Sequence, residues 1–195
     1  MNLTNLITQQ FSDQAVTLIA NKLGVDEKTA KRAAAAALPL LMGALARNAQ
    51  SPQGARSLYD ALAQDHNGSI LSNVTDALSS QSTLQDGDKI LNHVFGTERA
   101  QVDKGVSQMS GLSAQSSDQL MSMLAPIAMG VLGQQQQQNG LNVQDLTSML
   151  SQEQDQIMAG DFNISSFLDM DGDGRISDDV ASLGGKLLKS FFGRR

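Results

Sequence analysis

An alternation of acidic residues near the C-terminus is the strongest chemical signal in this chain of 195 residues. Asp169, Asp171 and Asp173 lie at positions one, three and five of a loop, and Gly174 lies at position six. Alternating carboxylates around a tight turn supply the oxygen ligands that Ca²⁺ prefers, and a glycine at position six permits the turn. The spacing therefore predicts a calcium-binding loop.

The second half of this loop departs from the EF-hand and resembles the calcium loops of dockerin modules. An EF-hand has a bidentate glutamate at position twelve, where this chain has Val180. Because dockerin loops end in aspartate, Asp179 is the predicted closing ligand and Asp178 is the alternative. Arg175 at position seven would contribute its backbone carbonyl. The predicted metal ligands are Asp169, Asp171, Asp173, Arg175 and Asp179.

Calcium is the predicted ion because magnesium binds poorly to sites built wholly from protein ligands. With a single loop and no terminal glutamate, we expect a dissociation constant of roughly 10⁻⁵ to 10⁻³ M. Such an affinity suits a structural ion better than a cytosolic sensor.

The residues after the loop predict an amphipathic helix within residues 180–195. Its basic residues outnumber its acidic ones by four to none, and its apolar residues fall on one face. Two interpretations remain open. The apolar face packs on the protein core, with cations near the negative end of the helix dipole, or it meets a membrane surface or a groove on a partner.

Helical patterns extend through the rest of the chain and predict an all-α protein. Ser12 and Asp26 are predicted helix N-caps, and Gly24 is a predicted helix stop. Strand-like alternation of apolar and polar residues is nowhere sustained. The predicted organisation is a helical domain over residues 1–158, followed by the metal loop and amphipathic helix over residues 159–195.

Two parts of the helical domain align at a constant shift of 87 residues. The aligned pairs include Gly24 with Gly111, Pro39 with Pro126, and Gly43 with Gly130. A proline bends a helix, and a glycine lets a neighbouring backbone approach closely. The pattern predicts two kinked-helix units, over about residues 1–86 and 87–158, that pack around a pseudo-twofold axis.

Two polar stretches are predicted to lie outside the helices. Residues 79–88 are rich in Ser, Gln, Asp and Gly and are predicted to link the two units. Residues 134–138 are five consecutive glutamines and predict a polar surface loop.

Composition and motifs argue against several classes of function. The absence of cysteine excludes disulfides and thiol catalysis. His66 and His93, the two histidines, lie in no recognisable catalytic motif, so we predict no enzymatic activity. The net charge of −6 disfavours binding to nucleic acid, whose phosphates attract basic proteins.

One segment nevertheless keeps a nucleic-acid alternative open. Residues 20–32 are similar to the turn of a DNA-binding helix-turn-helix, with Lys28, Lys31 and Arg32 on the second helix. The aligned stretch in the second unit, residues 113–118, has no basic residue. A DNA-associated regulator is therefore the alternative function from this segment.

Three longer motifs resemble a known bacterial family. They are Leu-Pro-Leu-Leu-Met-Gly-Ala-Leu at 38–45, Pro-Ile-Ala-Met-Gly-Val-Leu at 126–132, and Leu-Asp-Met-Asp-Gly-Asp-Gly at 168–174. Over nearly the full chain, the sequence resembles domain of unknown function 937, a family related to small YidB-like helical proteins. The resemblance implies the helical fold and the acidic loop, and it implies no activity.

These observations together predict a non-enzymatic, calcium-binding helical protein that acts as an interaction or structural module. The predicted partners are a calcium ion and either an unknown protein or a second copy of the chain. The N-terminus lacks the features of a signal peptide and no apolar run could span a bilayer, so a cytoplasmic location is expected.

Overall fold

Helices account for most of residues 3–159, which are the residues that the structure describes. In this computed structural model the α-helices are α1 (Leu3–Thr8), α2 (Asp13–Leu23), α3 (Glu27–Ala49), α4 (Pro52–Gln64), α5 (Val74–Ser79), α6 (Gln81–Phe95), α7 (Arg99–Ser110), α8 (Ala114–Asn139) and α9 (Val143–Ala159). Two short 3₁₀ helices cover Ser69–Asn73 and Gly96–Glu98. Residues 3–159 contain no strand, and the prediction of an all-α protein is confirmed for them.

The predicted helix signals around α2 and α3 are confirmed. The Ser12 hydroxyl accepts a hydrogen bond from the amide of Ala15, and the Asp26 carboxylate accepts one of 2.8 Å from the amide of Thr29. Gly24 ends α2 in the left-handed region, with φ of 69°, where glycine carries no Cβ penalty. Each side-chain oxygen satisfies an amide that the first turn of its helix leaves without a partner.

The two long helices that contain a proline, α3 and α8, form the centre of the core. They contact each other, and each also packs against several of the remaining helices. Both are buried on nearly every side, from Ala33 to Ala46 in α3 and from Leu120 to Gly133 in α8. No helix within residues 3–159 is long and apolar enough to cross a membrane.

The two polar stretches predicted as connections are helical, so both predictions were wrong. The glutamines at 134–138 form the last turns of α8, and Gln136 is buried. Residues 81–88 form the first half of α6, which packs closely against α8. Glutamine is a good helix former, and in α6 the packing of one apolar face outweighs the local Ser and Gly content. The proposed boundary after residue 86 consequently falls inside α6.

The close approach predicted at Gly130 involves a side chain, since a Cβ there would meet a methyl group of Ile70. The close backbone contacts lie elsewhere. A Cβ on Gly87 would overlap the carbonyl oxygen of Ser122, and a Cβ on Gly133 would overlap that of His66. These two glycines therefore set how closely α6 and the end of α4 approach α8.

Candidate functional site

A cleft of about 340 Å³ lies between α4 and α6. The C-terminal part of α3 and one residue of α8 complete its walls. Both histidines of the chain line it, together with apolar side chains and one residue of each charge. The lining residues are Leu45, Asn48, Gly54, Ser57, Leu58, Ala61, His66, Asp86, Lys89, Ile90, His93, Val94 and Met129.

The helices that border the cleft run in opposite directions. His66, just after α4, lies beside Asp86 in the first half of α6, with 3.8 Å between Nδ1 and the nearest carboxylate oxygen. Asn48, just before α4, donates a hydrogen bond of 2.9 Å to the carbonyl of Val94 near the end of α6. Each end of the cleft therefore carries one histidine, His66 at one end and His93 at the other.

The walls of the cleft are held by hydrogen bonds to backbone carbonyls. The side-chain amide of Asn48 also donates to the carbonyl of Ala44, at 3.1 Å, so it joins α3 to α6. The backbone amide of His66 donates to the carbonyl of Ala61, at 3.1 Å, and the His66 carbonyl rests against Gly133 of α8. These contacts fix the positions of Asn48 and His66 at the two ends of the cleft.

A second polar cluster centres on Arg99 at the start of α7. Its guanidinium donates hydrogen bonds of 2.7 Å to Asp118, 2.7 Å to Asp88 and 2.9 Å to Asn92. Ser122 donates a further bond of 2.6 Å to Asp88. Burial acts to raise the pKa of Asp88, but the hydrogen bonds from Ser122 and Arg99 hold it below its ordinary value. The cluster thereby joins α6, α7 and α8.

Asp103 lies one turn further along α7 and is 7% exposed. Burial raises its pKa to about 6, and the neighbouring carboxylate of Asp118 adds to the shift while Arg99 opposes it. The carboxyl group therefore holds its proton to a higher pH in the folded chain than in the unfolded one. The charged groups of this cluster are paired with one another, and the cluster connects three helices. We therefore assign it a structural role.

The chain matches a family model described as a bacterial protein of unknown function (DUF937), over residues 5–135. The chain belongs to this family. No curated protein and no solved structure matches the chain. The DUF937 match begins in α1 and ends within α8, and it is shorter than the resemblance over nearly the full chain that the motifs indicated.

The DUF937 match includes the cleft between α4 and α6 but not the predicted calcium loop. All the residues that line the cleft, from Leu45 to Met129, lie within the matched range. The predicted metal ligands lie beyond it and also outside the residues that the structure describes: Asp169, Asp171, Asp173, Arg175 and Asp179. Within residues 3–159, no group of three or more histidine and acidic side chains is arranged to hold a metal ion.

The sequence reasoning missed the cleft because its residues come from four helices. His66 and Asp86 are 20 positions apart, and neither belongs to a known motif. One local signal was present. Asp86, Lys89 and His93 recur at the spacing of one helix face, which places titratable groups beside the apolar stripe of α6.

Proposed function

We propose that this DUF937 protein is a non-enzymatic helical module whose C-terminal segment binds calcium. The single observation that carries the proposal is the run Asp169, Asp171, Asp173 and Gly174, which matches the first half of an EF-hand loop. Arg175 would add its backbone carbonyl, and Asp179 would close the site in the manner of a dockerin loop. These carboxylates would repel each other strongly without a cation between them.

The helical body, residues 3–159, is closed by contacts between its first and last helices, which supports a separate role for the acidic segment that follows it in sequence. The Glu153 carboxylate of α9 binds the backbone amides of Leu3 and Thr4 in α1. The first and last described helices are thus joined within one core.

Calorimetry on the full chain tests the proposal. We expect heat on titration with millimolar calcium, lost in a variant that carries Asp171→Ala and Asp173→Ala. The matched control carries Asp60→Ala and Asp155→Ala, which remove the same charge from α4 and α9. The proposal fails if the intact chain gives no heat, or if the loop variant and the control lose it equally.

We also propose that the helical body arose from the two aligned units. Helices α3 and α8 begin at positions 27 and 114, each after a left-handed glycine and a polar N-cap residue. Helix α3 contacts α7 and α9, and α8 makes the reciprocal contacts with α2 and α4. This reciprocity supports a pseudo-twofold arrangement, and the kinks at Pro39 and Pro126 and the kinship with YidB-like proteins remain part of the proposal. A superposition of α2–α4 on α7–α9 that requires a rotation far from 180° would contradict it.

The DNA-associated alternative is supported by one feature of the α2–α3 pair. A three-residue connection joins the helices, and Lys28 is exposed near the start of α3 with Lys31 and Arg32 partly exposed. From Ala33 onward, however, α3 is buried on nearly all sides, so only its first turns could reach a DNA groove. A gel shift that weakens as salt rises, and that disappears in Lys28→Ala with Lys31→Ala, would favour this alternative over the calcium module.

Attachment to a membrane surface through residues 180–195 is the remaining alternative. It is motivated by the apolar face and the net charge of +4 in that segment. Truncation after Asp179 should abolish binding to anionic liposomes if the alternative is correct. Equal binding by the full and truncated chains would dismiss it.

A further inference from the structure

We propose that the cleft between α4 and α6 binds a small amphipathic carboxylate. The apolar part of this ligand lies along the floor formed by Leu45, Leu58 and Met129, and its carboxylate lies between Lys89 and His93. The proposal is independent of the calcium loop, because every residue that carries it lies between α3 and α8.

The size of the cleft suits a small molecule. Its volume of about 340 Å³ falls at the lower end of the range for ligand sites, which runs from roughly 300 to 1,000 Å³. A short-chain organic molecule fits a cleft of this volume.

The lining of the cleft sets the ligand's two parts. Leu45, Leu58, Ile90 and Met129 are buried residues that leave part of their surface to the cleft. They can cover an apolar chain but offer it no hydrogen bond. Among the polar lining residues, Ser57, Lys89 and His93 are exposed, and a few polar groups around an apolar lining are the usual arrangement in sites that bind apolar molecules with a polar head group.

The length of the apolar part follows from α6. Asp86 and His93 are seven residues apart on the same helix, which corresponds to about 10.5 Å at 1.5 Å per residue. A medium-length acyl chain spans this distance. A head group between Lys89 and His93 would leave the tail over the apolar floor, directed toward the end of the cleft that His66 occupies.

The position of the carboxylate follows from the charges. Lys89 is exposed, and no ion pair joins it to any residue between 3 and 159. Asp86, whose charge would repel an anion, lies one turn before Lys89 but faces His66, and it is two turns of α6 away from His93. The His93 ring adds a hydrogen-bond donor one turn beyond Lys89 on α6, and the Ser57 hydroxyl adds one from α4, so an anionic head group is favoured beside Lys89 and His93.

The two histidines make a selective test, because their ring protons report on the cleft alone. Octanoate is the probe, and proton NMR of the full chain is the measurement. We expect millimolar octanoate to shift the ring signals of both His66 and His93. The uncharged 1-octanol should bind about tenfold more weakly, since it lacks the charge that Lys89 attracts.

Three variants complete the test. Lys89→Met should weaken octanoate binding about tenfold while retaining the apolar stem of the side chain. Lys104→Met, which removes an exposed lysine from α7, is the matched control and should bind as the unmodified chain does. Ser57→Trp places a large ring at the mouth of the cleft and should abolish the shifts, with circular dichroism confirming that the chain is folded.

Each other outcome overturns the proposal. Unmoved histidine signals in millimolar octanoate would show that the cleft takes no such ligand. Equal binding of octanoate and 1-octanol, or undiminished binding by Lys89→Met, would show that no anion site exists there. Undiminished binding by Ser57→Trp would place the probe outside the cleft.

Discussion

The carboxylate of Glu153 binds the backbone amides of Leu3, at 2.8 Å, and of Thr4, at 2.9 Å, across about 150 positions of sequence. It also accepts a hydrogen bond of 2.5 Å from the Thr4 hydroxyl. Glu153 is 2% exposed, and burying its charge would be costly without partners. The three donors and the positive end of the α1 backbone compensate that charge. The contact fixes the first helix of the described body onto the last.

Replacing Glu153 with glutamine should therefore destabilise the chain. The variant turns an NH₂ group toward amide donors and leaves buried polar groups unpaired, at a cost of about 2–3 kcal/mol in the free energy of unfolding. Urea denaturation measures the change, and hydrogen exchange at Leu3 and Thr4 should become faster. Asp155→Asn, two residues along the same helix and exposed, is the control and should change stability little. Equal stability of the two variants would show that the Glu153 carboxylate does not stabilise the folded chain.

Arg99 should not tolerate replacement by lysine. Its planar guanidinium holds Asp88, Asp118 and Asn92 at once, whereas an ammonium group cannot match that fork. We expect Arg99→Lys to lower the free energy of unfolding by about 1–3 kcal/mol. Arg56→Lys, at an exposed pair with Asp60, is the matched substitution and should cost less than about 0.5 kcal/mol. Similar losses in both variants would contradict the central role of the Arg99 cluster.

Asp103 should make the chain less stable as the pH rises from about 4 to about 6. Because its pKa is raised from 3.8 to about 6 in the folded chain, the folded state binds the proton more tightly than the unfolded state. The stabilisation that the protonated Asp103 gives to the folded chain is therefore complete below pH 4 and is lost as the pH passes 6. The free energy of unfolding should change by up to roughly 3 kcal/mol over this range.

The Asp103→Asn variant tests this dependence. It should be more stable than the unmodified chain at pH 8 and similar to it at pH 4, because the amide stays neutral beside Asp118. Thermal melts across that pH range measure the difference between the two chains, and Asp65→Asn serves as an exposed control. A difference that does not vary with pH would refute the assignment.

The two glycines at positions 87 and 105 should respond oppositely to alanine. A Cβ at Gly87 would overlap the carbonyl of Ser122 in α8, so α6 must move and Gly87→Ala should cost about 1–3 kcal/mol. A Cβ at Gly105 would meet no atom within 4 Å, and Gly105→Ala should stabilise α7 by up to about 1 kcal/mol. Chemical denaturation of both variants checks the prediction, and a stabilised Gly87→Ala chain would show that α6 and α8 are not in close contact there.

Local sequence was sufficient for the helical class and for the ends of several helices. Helix caps depend only on neighbouring residues. The side chains of Ser12 and Asp26 accept hydrogen bonds from amides in the first turns of α2 and α3, and Gly24 ends α2 through its left-handed backbone. The family was also recognisable from short motifs, and the match over residues 5–135 bears it out. The calcium loop remains a prediction of the sequence alone.

Only the tertiary structure decided whether the polar stretches are helical and which distant residues lie in contact. The polar start of α6 is helical because of what it packs against, and composition does not record packing partners. The same holds for the cleft. His66 and Asp86 become neighbours only when antiparallel helices bring distant positions together, because a helix presents its side chains to elements whose placement depends on the whole core.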